Sequence, residues 1–226
     1  MEFRAVTDLD PASFDALIVA VDADGQALGG PPDEERRLAE WLARESGPAR
    51  IFSARTHLRD GTAGANRLVV VAAGRRSELD RERARNVVSA GVKALWQSTT
   101  SRLAIVIDDE GLGMAAAVRA AVEGVIYAMW RPDVHRTGEQ ERRLPPLEEV
   151  QLFIGGGDGG VVEAAIERGR TAGEAVNWAR GLANEPANLM TPTLLAEEAR
   201  KLAEDAGIEF EALDADACQA LGMGSF

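Results

Sequence analysis

Several residue types that carry common chemistry are scarce in this 226-residue chain. It has one cysteine, Cys218, two histidines, His57 and His135, and two lysines, Lys93 and Lys201. A single cysteine cannot form an internal disulfide, which points to a reducing compartment. Neither histidine has a second histidine or cysteine at metal-ligand spacing, and no Gly-x-Ser-x-Gly nucleophile elbow occurs. Residue chemistry alone therefore indicates neither a zinc site nor a serine or cysteine nucleophile.

Long apolar stretches and an excess of basic charge are also missing. The first residues show no secretory signal, and the longest apolar run, residues 112–129, contains Arg119 and Glu123 and is too polar to cross a bilayer. Acidic side chains number 37 against 25 basic ones, for a formal net charge of −12. An acidic surface repels phosphate backbones and anionic lipids. We therefore expect a cytoplasmic protein that binds neither nucleic acid nor membrane.

Short apolar runs alternate with helical patterns over the first two-thirds of the chain. Buried runs predict strands at 17–21, 68–72, 103–107 and 150–154, with a further candidate at 51–52. Amphipathic patterns predict helices over 33–44, 77–97 and 114–130, and residues 131–149 predict an excursion or hairpin. Continuous apolar strands between helices are typical of a sheet covered on both faces. The sequence therefore predicts an α/β sandwich over about residues 1–157.

The pattern changes after residue 157. A helix with small residues at spacings of three and four is predicted over 161–183. Thr191 and Pro192 then predict the start of another helix, which Gly207 ends. Its predicted buried stripe is Leu195, Ala199, Leu202 and Ala206. Residues 208–213 alternate as a strand, and Asp214 or Asp216 begins a last short helix. About forty residues would struggle to bury a core unaided, which indicates the opening of a second domain.

A glycine-rich segment, Gly-Gly-Gly-Asp-Gly-Gly at 155–160, matches the spaced-glycine dinucleotide pattern. Glycines there would let backbone amides reach a pyrophosphate. The pattern also requires a second strand ending in an acidic residue, whereas a long helix follows, and Asp158 would bring negative charge to the phosphates. A flexible turn into the helix is the simpler interpretation.

Charged clusters also have structural interpretations. The acidic turns at 22–24 and 108–110 could hold a hard cation, although solvated turns after buried strands are commoner. The acidic residues at 33–35 suit a helix N-terminus. The arginines at 75–76 and 81–85 are interleaved with acids and predict a salt-bridged face.

One segment carries a family resemblance. Residues 177–192 read Asn-Trp-Ala-Arg-Gly-Leu-Ala-Asn-Glu-Pro-Ala-Asn-Leu-Met-Thr-Pro. This segment closely resembles the linker of the leucyl aminopeptidase (cytosol aminopeptidase) family, in which Asn-x-x-Arg-x-Leu-x-Asn-x-Pro-x-Asn-x-x-Thr-Pro joins two domains. The continuation to Leu-Gly-Met-Gly at 221–224 is similar to the start of the catalytic domain. Residues 68–80 and 123–137 resemble the N-terminal domain more loosely.

The resemblance implies a domain organisation and a chemistry. It implies a macro-like three-layer α/β sandwich as N-terminal domain (1–157), a linker helix and turn (158–190) and the incomplete start of an α/β catalytic domain (191–226). It further implies a hexameric homo-oligomer, peptide substrates and two divalent metal ions, zinc or manganese, held by carboxylates and one lysine. The ions activate a bridging water, assisted by another lysine and an arginine-bound bicarbonate.

The family's decisive motifs do not occur in these 226 residues. They are a lysine-containing segment followed by Phe-Asp-Ser-Gly-Gly, and Asn-Thr-Asp-Ala-Glu-Gly-Arg. Lys93 and Lys201 lie on predicted helices far from any such motif, so we assign no catalytic, cofactor-binding or metal-binding residue. We expect the N-terminal portion of a di-metal aminopeptidase, inactive alone and without bound metal. Two alternatives stay open: a stand-alone assembly or regulatory module, and a macro-like nucleotide-binding module that uses residues 155–160.

Overall fold

The computed structural model describes residues 1–45, 49–59, 67–132, 134–135 and 145–224. Within that part the chain forms two compact units, Met1–Asn177 and Trp178–Phe226. The strands are β1 (Glu2–Val6), β2 (Ala16–Asp22), β3 (Ala54–Leu58), β4 (Arg67–Gly74), β5 (Arg102–Val106) and β6 (Glu149–Phe153). The helices are α1 (Asp33–Glu45), α2 (Arg81–Ala94), α3 (Met114–Ala128), α4 (Gly159–Asn184), α5 (Pro192–Ala206) and α6 (Ala215–Ala220). Strands and helices thus alternate through most of the first unit.

The six strands of the described part form one sheet in the order β1-β6-β5-β2-β4-β3. Neighbouring strands are parallel except for β3, which runs antiparallel to β4 at one edge. Alternate residues of the central strand β2 enter two separate apolar clusters. Val19 packs on the side of α1, and Ile18 packs on the side of α2, α3 and the first turns of α4. The predicted α/β sandwich, with helices on both faces of the sheet, is confirmed.

Glycines let α2, α3 and α4 approach one another at backbone distance. A Cβ added at Gly124 of α3 would lie 2.6 Å from the carbonyl oxygen of Arg85 in α2. The hydroxyl of Ser89 donates to the carbonyl of Gly124 at 2.8 Å and so bridges the same two helices. On α4, Gly169 and Gly173 meet Val122 and Ile126 of α3 in the same way. The small residues predicted on the helix over 161–183 thus allow α3 to approach it closely.

The predicted helix ends in the second unit are confirmed. The Thr191 hydroxyl accepts the Leu194 N–H at 3.4 Å, and Pro192 is the first residue of α5. Gly207 ends that helix with a φ of 66°, in the left-handed region that favours glycine. The Asp214 side chain accepts the Ala217 N–H at 2.9 Å and caps α6.

Some sequence-based predictions were wrong. Residues 208–213 form no regular strand, since a strand needs a neighbour for its backbone hydrogen bonds and the described part of the second unit contains only helices. Leu195 and Leu202 of the predicted buried stripe are nearly half exposed, and Ala203 is the buried residue of α5. The candidate strand at 51–52 is a turn in which Phe52 has a φ of 65°, and the strand begins at Ala54.

The predicted hairpin at 131–149 cannot be compared in full. Residues 133 and 136–144 lie outside the described residues, and so does the end of the loosely resembling segment 123–137. Of the remainder, Glu149 already belongs to β6.

Substituting Gly124 by alanine tests the contact between α2 and α3. The new methyl group would press on the Arg85 carbonyl, so we expect a loss of about 1–3 kcal/mol in the free energy of unfolding, measured by chemical denaturation. Gly159→Ala is the matched control, because an added Cβ there meets no atom within 4 Å. It should change stability by less than about 0.5 kcal/mol. Equal losses in both variants would contradict the close packing.

Candidate functional site

The sheet topology singles out the carboxyl ends of β2 and β5 as a place for a ligand. These strands are neighbours, but the chain leaves β2 toward β4 and leaves β5 toward β6, in opposite directions across the sheet. Open parallel sheets bind ligands in the crevice where connections diverge in this way. The residues that follow the two strands therefore decide whether this crevice can serve as a site.

The turn after β2 fills that crevice. The Leu28 side chain is 1% exposed and belongs to the core, and its N–H donates to the Ala20 carbonyl at 2.9 Å. At the next position, Gly29, the backbone packs directly against Ile107, the residue after β5. A Cβ added to Gly29 would lie 2.4 Å from the Ile107 carbonyl oxygen. The cavity left beside Leu28 is about 40 Å³. Such a volume suits a water molecule or two and is far below the roughly 300 Å³ of a small-molecule pocket.

Asp108 comes two residues after the end of β5 and lines the small cavity beside Leu28. Its side chain is largely buried. Its Oδ2 atom accepts no hydrogen bond from any described residue, and the Arg76 Nη2 atom lies 3.7 Å away. Burial raises the pKa of the Asp108 carboxyl above its ordinary value of 3.8, and the Arg76 guanidinium opposes that rise only in part. Arg76 also pairs with Glu110. The acidic turn at 108–110 is thus linked to Arg76, two residues after the end of β4.

The other acidic clusters have structural partners. The Asp22 carboxylate accepts the N–H groups of Asp24 and Gln26, both at 2.9 Å, and so closes its own turn. Glu35, in the first turn of α1, is buried and accepts a hydrogen bond from Arg59 at 3.0 Å. Arg59 contacts Glu34 as well. Residues 33–35 thus lie at the start of a helix, as the sequence indicated. The sequence did not indicate that Glu35 pairs with Arg59.

Most arginines of the two arginine-rich segments form ion pairs, as predicted. Arg75 and Arg83 both contact Glu78, at 3.5 and 2.6 Å. Arg85 lies 3.8 Å from the buried carboxylate of Glu123 on α3 and stacks over the Tyr127 ring. Arg83 thereby ties α2 to the preceding turn, and Arg85 ties it to α3.

The glycine-rich loop lies between β6 and α4, as the pattern requires. Gly156 and Gly157 have φ values of 126° and 151°, in the range that favours glycine. The Asp158 Oδ1 atom accepts the Gly160 N–H at 2.8 Å, so a carboxylate already occupies an amide that a phosphate would need. No strand follows in residues 154–224. These features favour a turn that starts a helix.

The scarce residues are scattered over the fold. His57 lies on β3, His135 beyond α3, Lys93 at the end of α2 and Cys218 on α6. Lys201, on α5, pairs with Glu198 at 2.8 Å. Within the described residues, no three His, Cys, Asp or Glu side chains lie close enough together to hold a metal ion. The donor set of this part therefore does not fit a divalent ion, and no catalytic step is assigned to it. No helix among the same residues is long and apolar enough to span a membrane.

The first residue of the linker motif has a packing role. The Asn177 amide donates to the carbonyl of Ile126 on α3 at 2.7 Å. It thereby extends the contact that Gly173 makes with the same residue. The motif itself was visible in the sequence, but this role of its asparagine was not, because it depends on a helix fifty residues upstream.

Comparison with known families assigns both parts of the chain to one family. The model of the cytosol aminopeptidase family N-terminal domain matches residues 49–139, and the model of that family's catalytic domain matches residues 177–226. Together the two matches cover more than half of the chain. The chain belongs to the cytosol aminopeptidase family, as the resemblance of residues 177–192 predicted.

Curated relatives agree. The chain is 41% identical over 161 residues to the probable cytosol aminopeptidase of Solibacter usitatus. The aligned region covers 71% of this chain and 32% of that protein. The chain is 29% identical over 248 residues to the probable cytosol aminopeptidase of Koribacter versatilis, covering 98% of this chain and 48% of the relative. The chain thus spans about a third to a half of the length of these relatives.

Solved structures share the fold. A mutant of tomato leucine aminopeptidase superposes with a TM-score of 0.76 at 20% identity, over 98% of this chain and 46% of that one. The bottromycin maturation enzyme BotP superposes with a TM-score of 0.63 at 24% identity, over 86% and 38% of the two chains. At these identities the likeness concerns the fold alone.

Leu28→Ala tests whether the β2–β5 crevice is a filled part of the core. Removing a fully buried leucine leaves a cavity, so we expect the free energy of unfolding to fall by about 2–5 kcal/mol. Leu58→Ala is the control, because Leu58 lies on the edge strand β3 and is 66% exposed. It should cost less than about 0.5 kcal/mol. If Leu28→Ala lowers the free energy of unfolding as little as Leu58→Ala does, the turn does not pack into the crevice.

Asp108→Asn tests the burial of the Asp108 carboxyl. Because the folded-state pKa is raised, the folded protein holds this proton more tightly than the unfolded chain, and wild-type stability falls as pH rises from about 4 through the folded pKa. The neutral asparagine avoids that loss. Urea denaturation at several pH values between 3 and 7 should show the variant gaining stability relative to wild type as pH increases. A relative loss with increasing pH would contradict a raised pKa.

Proposed function

We propose that this chain is the N-terminal portion of a di-metal aminopeptidase that releases N-terminal amino acids from peptides. The observation that carries the proposal is the order of parts. An α/β unit is followed by the motif Asn177–Pro192, and the match to the family's catalytic domain begins at residue 177. The family membership and the names of the curated relatives support a peptidase in the cytoplasm.

The proposed division follows that order. Residues 1–157 form the macro-like N-terminal domain, 158–190 the linker helix and turn, and 191–226 the first elements of the catalytic domain. Peptide substrates would bind in the catalytic domain, and the whole protein would assemble as a homo-oligomer, a hexamer by resemblance.

Exposed apolar side chains of the second unit support its being the start of a larger domain. Leu194, Leu195 and Leu202 on α5 are each close to half exposed, and Ile208 is 63% exposed. Burial of apolar surface contributes about 25 cal/mol per Å², so packing this surface against further catalytic-domain elements would stabilise it. An isolated short segment of this kind gains little from its own contacts.

The proposed chemistry assigns both metal ions and the catalytic lysine to the family motifs that these 226 residues do not contain. When bound, the ions would supply an activated water and polarise the peptide carbonyl. Manganese is one candidate, since BotP, 25% identical over the superposed region, has been solved in complex with Mn. The contribution of the present residues is then structural: they carry the sheet, the linker and the first helices of the catalytic domain.

A chimera tests the proposal. Residues 1–226 are fused to the part of the Solibacter usitatus relative that follows the aligned region, and hydrolysis of leucyl substrates is measured with manganese or zinc. We expect metal-dependent release of leucine by the chimera and none by the 226-residue chain alone.

Two controls make the outcome specific. The Solibacter part alone should be inactive, which shows that the present residues are required. Metal-dependent turnover by the purified, mass-verified 226-residue chain would contradict its proposed inactivity. A folded but inactive chimera would contradict the aminopeptidase assignment.

A further inference from the structure

A groove on the α2–α3–α4 side of the first unit is large enough for a small molecule and is lined by positively charged side chains. Its cavity volume is about 560 Å³, within the roughly 300–1,000 Å³ typical of small-molecule sites. Arg81 of α2, Arg119 of α3 and Arg168 of α4 line it, and small side chains such as Ala115 and Ala164 leave the space between them open. We call this feature the arginine groove.

Two of the three arginines have no acidic partner among the residues that the structure describes. Arg119 is held by the buried Glu123, whose Oε1 atom accepts from Nε at 2.7 Å. Arg81 and Arg168, in contrast, form no ion pair within 4 Å with any acid among the described residues, although most described arginines do. The guanidinium groups of Arg81 and Arg168 are therefore available to an external anion.

The local charge stands out against the rest of the chain. The described lining holds three guanidinium groups and one carboxylate, Asp158, which is engaged with the Gly160 N–H. The protein as a whole carries a formal net charge of −12. An anion approaching this molecule is repelled by most of its surface and attracted to this groove.

The geometry points to a binding site for a phosphorylated small molecule in the arginine groove. Guanidinium groups bind phosphoryl oxygens through paired, charge-assisted hydrogen bonds, and Arg81 and Arg168, from separate helices, line the same groove. The site differs from the β2–β5 crevice, which Leu28 fills. The inference does not depend on the proposed peptidase activity.

Calorimetry on the 226-residue chain at low ionic strength tests the site, with ADP and inorganic phosphate as probes. We expect both to bind wild type, and Arg168→Ala or Arg81→Ala to weaken binding roughly tenfold each, the usual effect of losing one charge-assisted hydrogen bond. Arg37→Ala is the matched control. Arg37 is an exposed arginine on α1, across the sheet, and forms no ion pair with a described acid. Its loss should change affinity less than about twofold.

Each outcome decides the inference. Tighter binding of ADP than of phosphate supports the site with a nucleotide-sized ligand, and equal binding supports it with free phosphate as the ligand. Absence of heat for both probes at millimolar concentration overturns it. So does equal weakening by Arg168→Ala and Arg37→Ala, or unchanged binding in the Arg81 and Arg168 variants. Circular dichroism of each variant excludes a folding defect as the cause.

Discussion

The close packing around α3 is the constraint on which the first unit depends. Helix α3 is buried over most of its length. Its neighbours α2 and α4 must therefore pack against it and cover two of its sides. Gly124 allows α2 to approach at backbone distance, and Gly169 and Gly173 do the same for α4. Two polar contacts inside this layer are Glu123 with Arg119 and the Gly124 carbonyl with Ser89. Close packing of this kind leaves little freedom for rearrangement.

Much of the sheet could be predicted because its central strands are buried on both faces. A strand of that kind is a continuous apolar run, and β2, β4, β5 and β6 were predicted within one or two residues at most ends. The edge strands β1 and β3 were missed, since exposed residues interrupt their burial pattern and short mixed runs have no distinctive period. Residues 208–213 were wrongly predicted as a strand. Apolar and polar side chains alternate there with a period of two, but no neighbouring strand is present among the described residues to pair with them.

The candidate sites were harder to predict because they depend on residues far apart in sequence. Asp22, Asp158 and the pairs of Arg75 and Arg83 with Glu78 could be interpreted locally, because their partners lie within a few positions. Leu28 fills the crevice only because the backbone at Gly29 lies against Ile107. The arginine groove likewise requires α2, α3 and α4 to meet, and no spacing along the chain indicates it. Family membership, in contrast, was visible in one sixteen-residue segment, because that motif is contiguous.

The most direct test of the central claim, that this chain is part of an aminopeptidase, is the intact mass of the native protein. It would be captured from its own cells with an antibody against the first unit and measured by mass spectrometry. The proposal predicts a species much heavier than 24.1 kDa that hydrolyses leucyl substrates when metal is supplied. A species of 24.1 kDa without a longer form would contradict it, and would make this chain a protein that acts by binding.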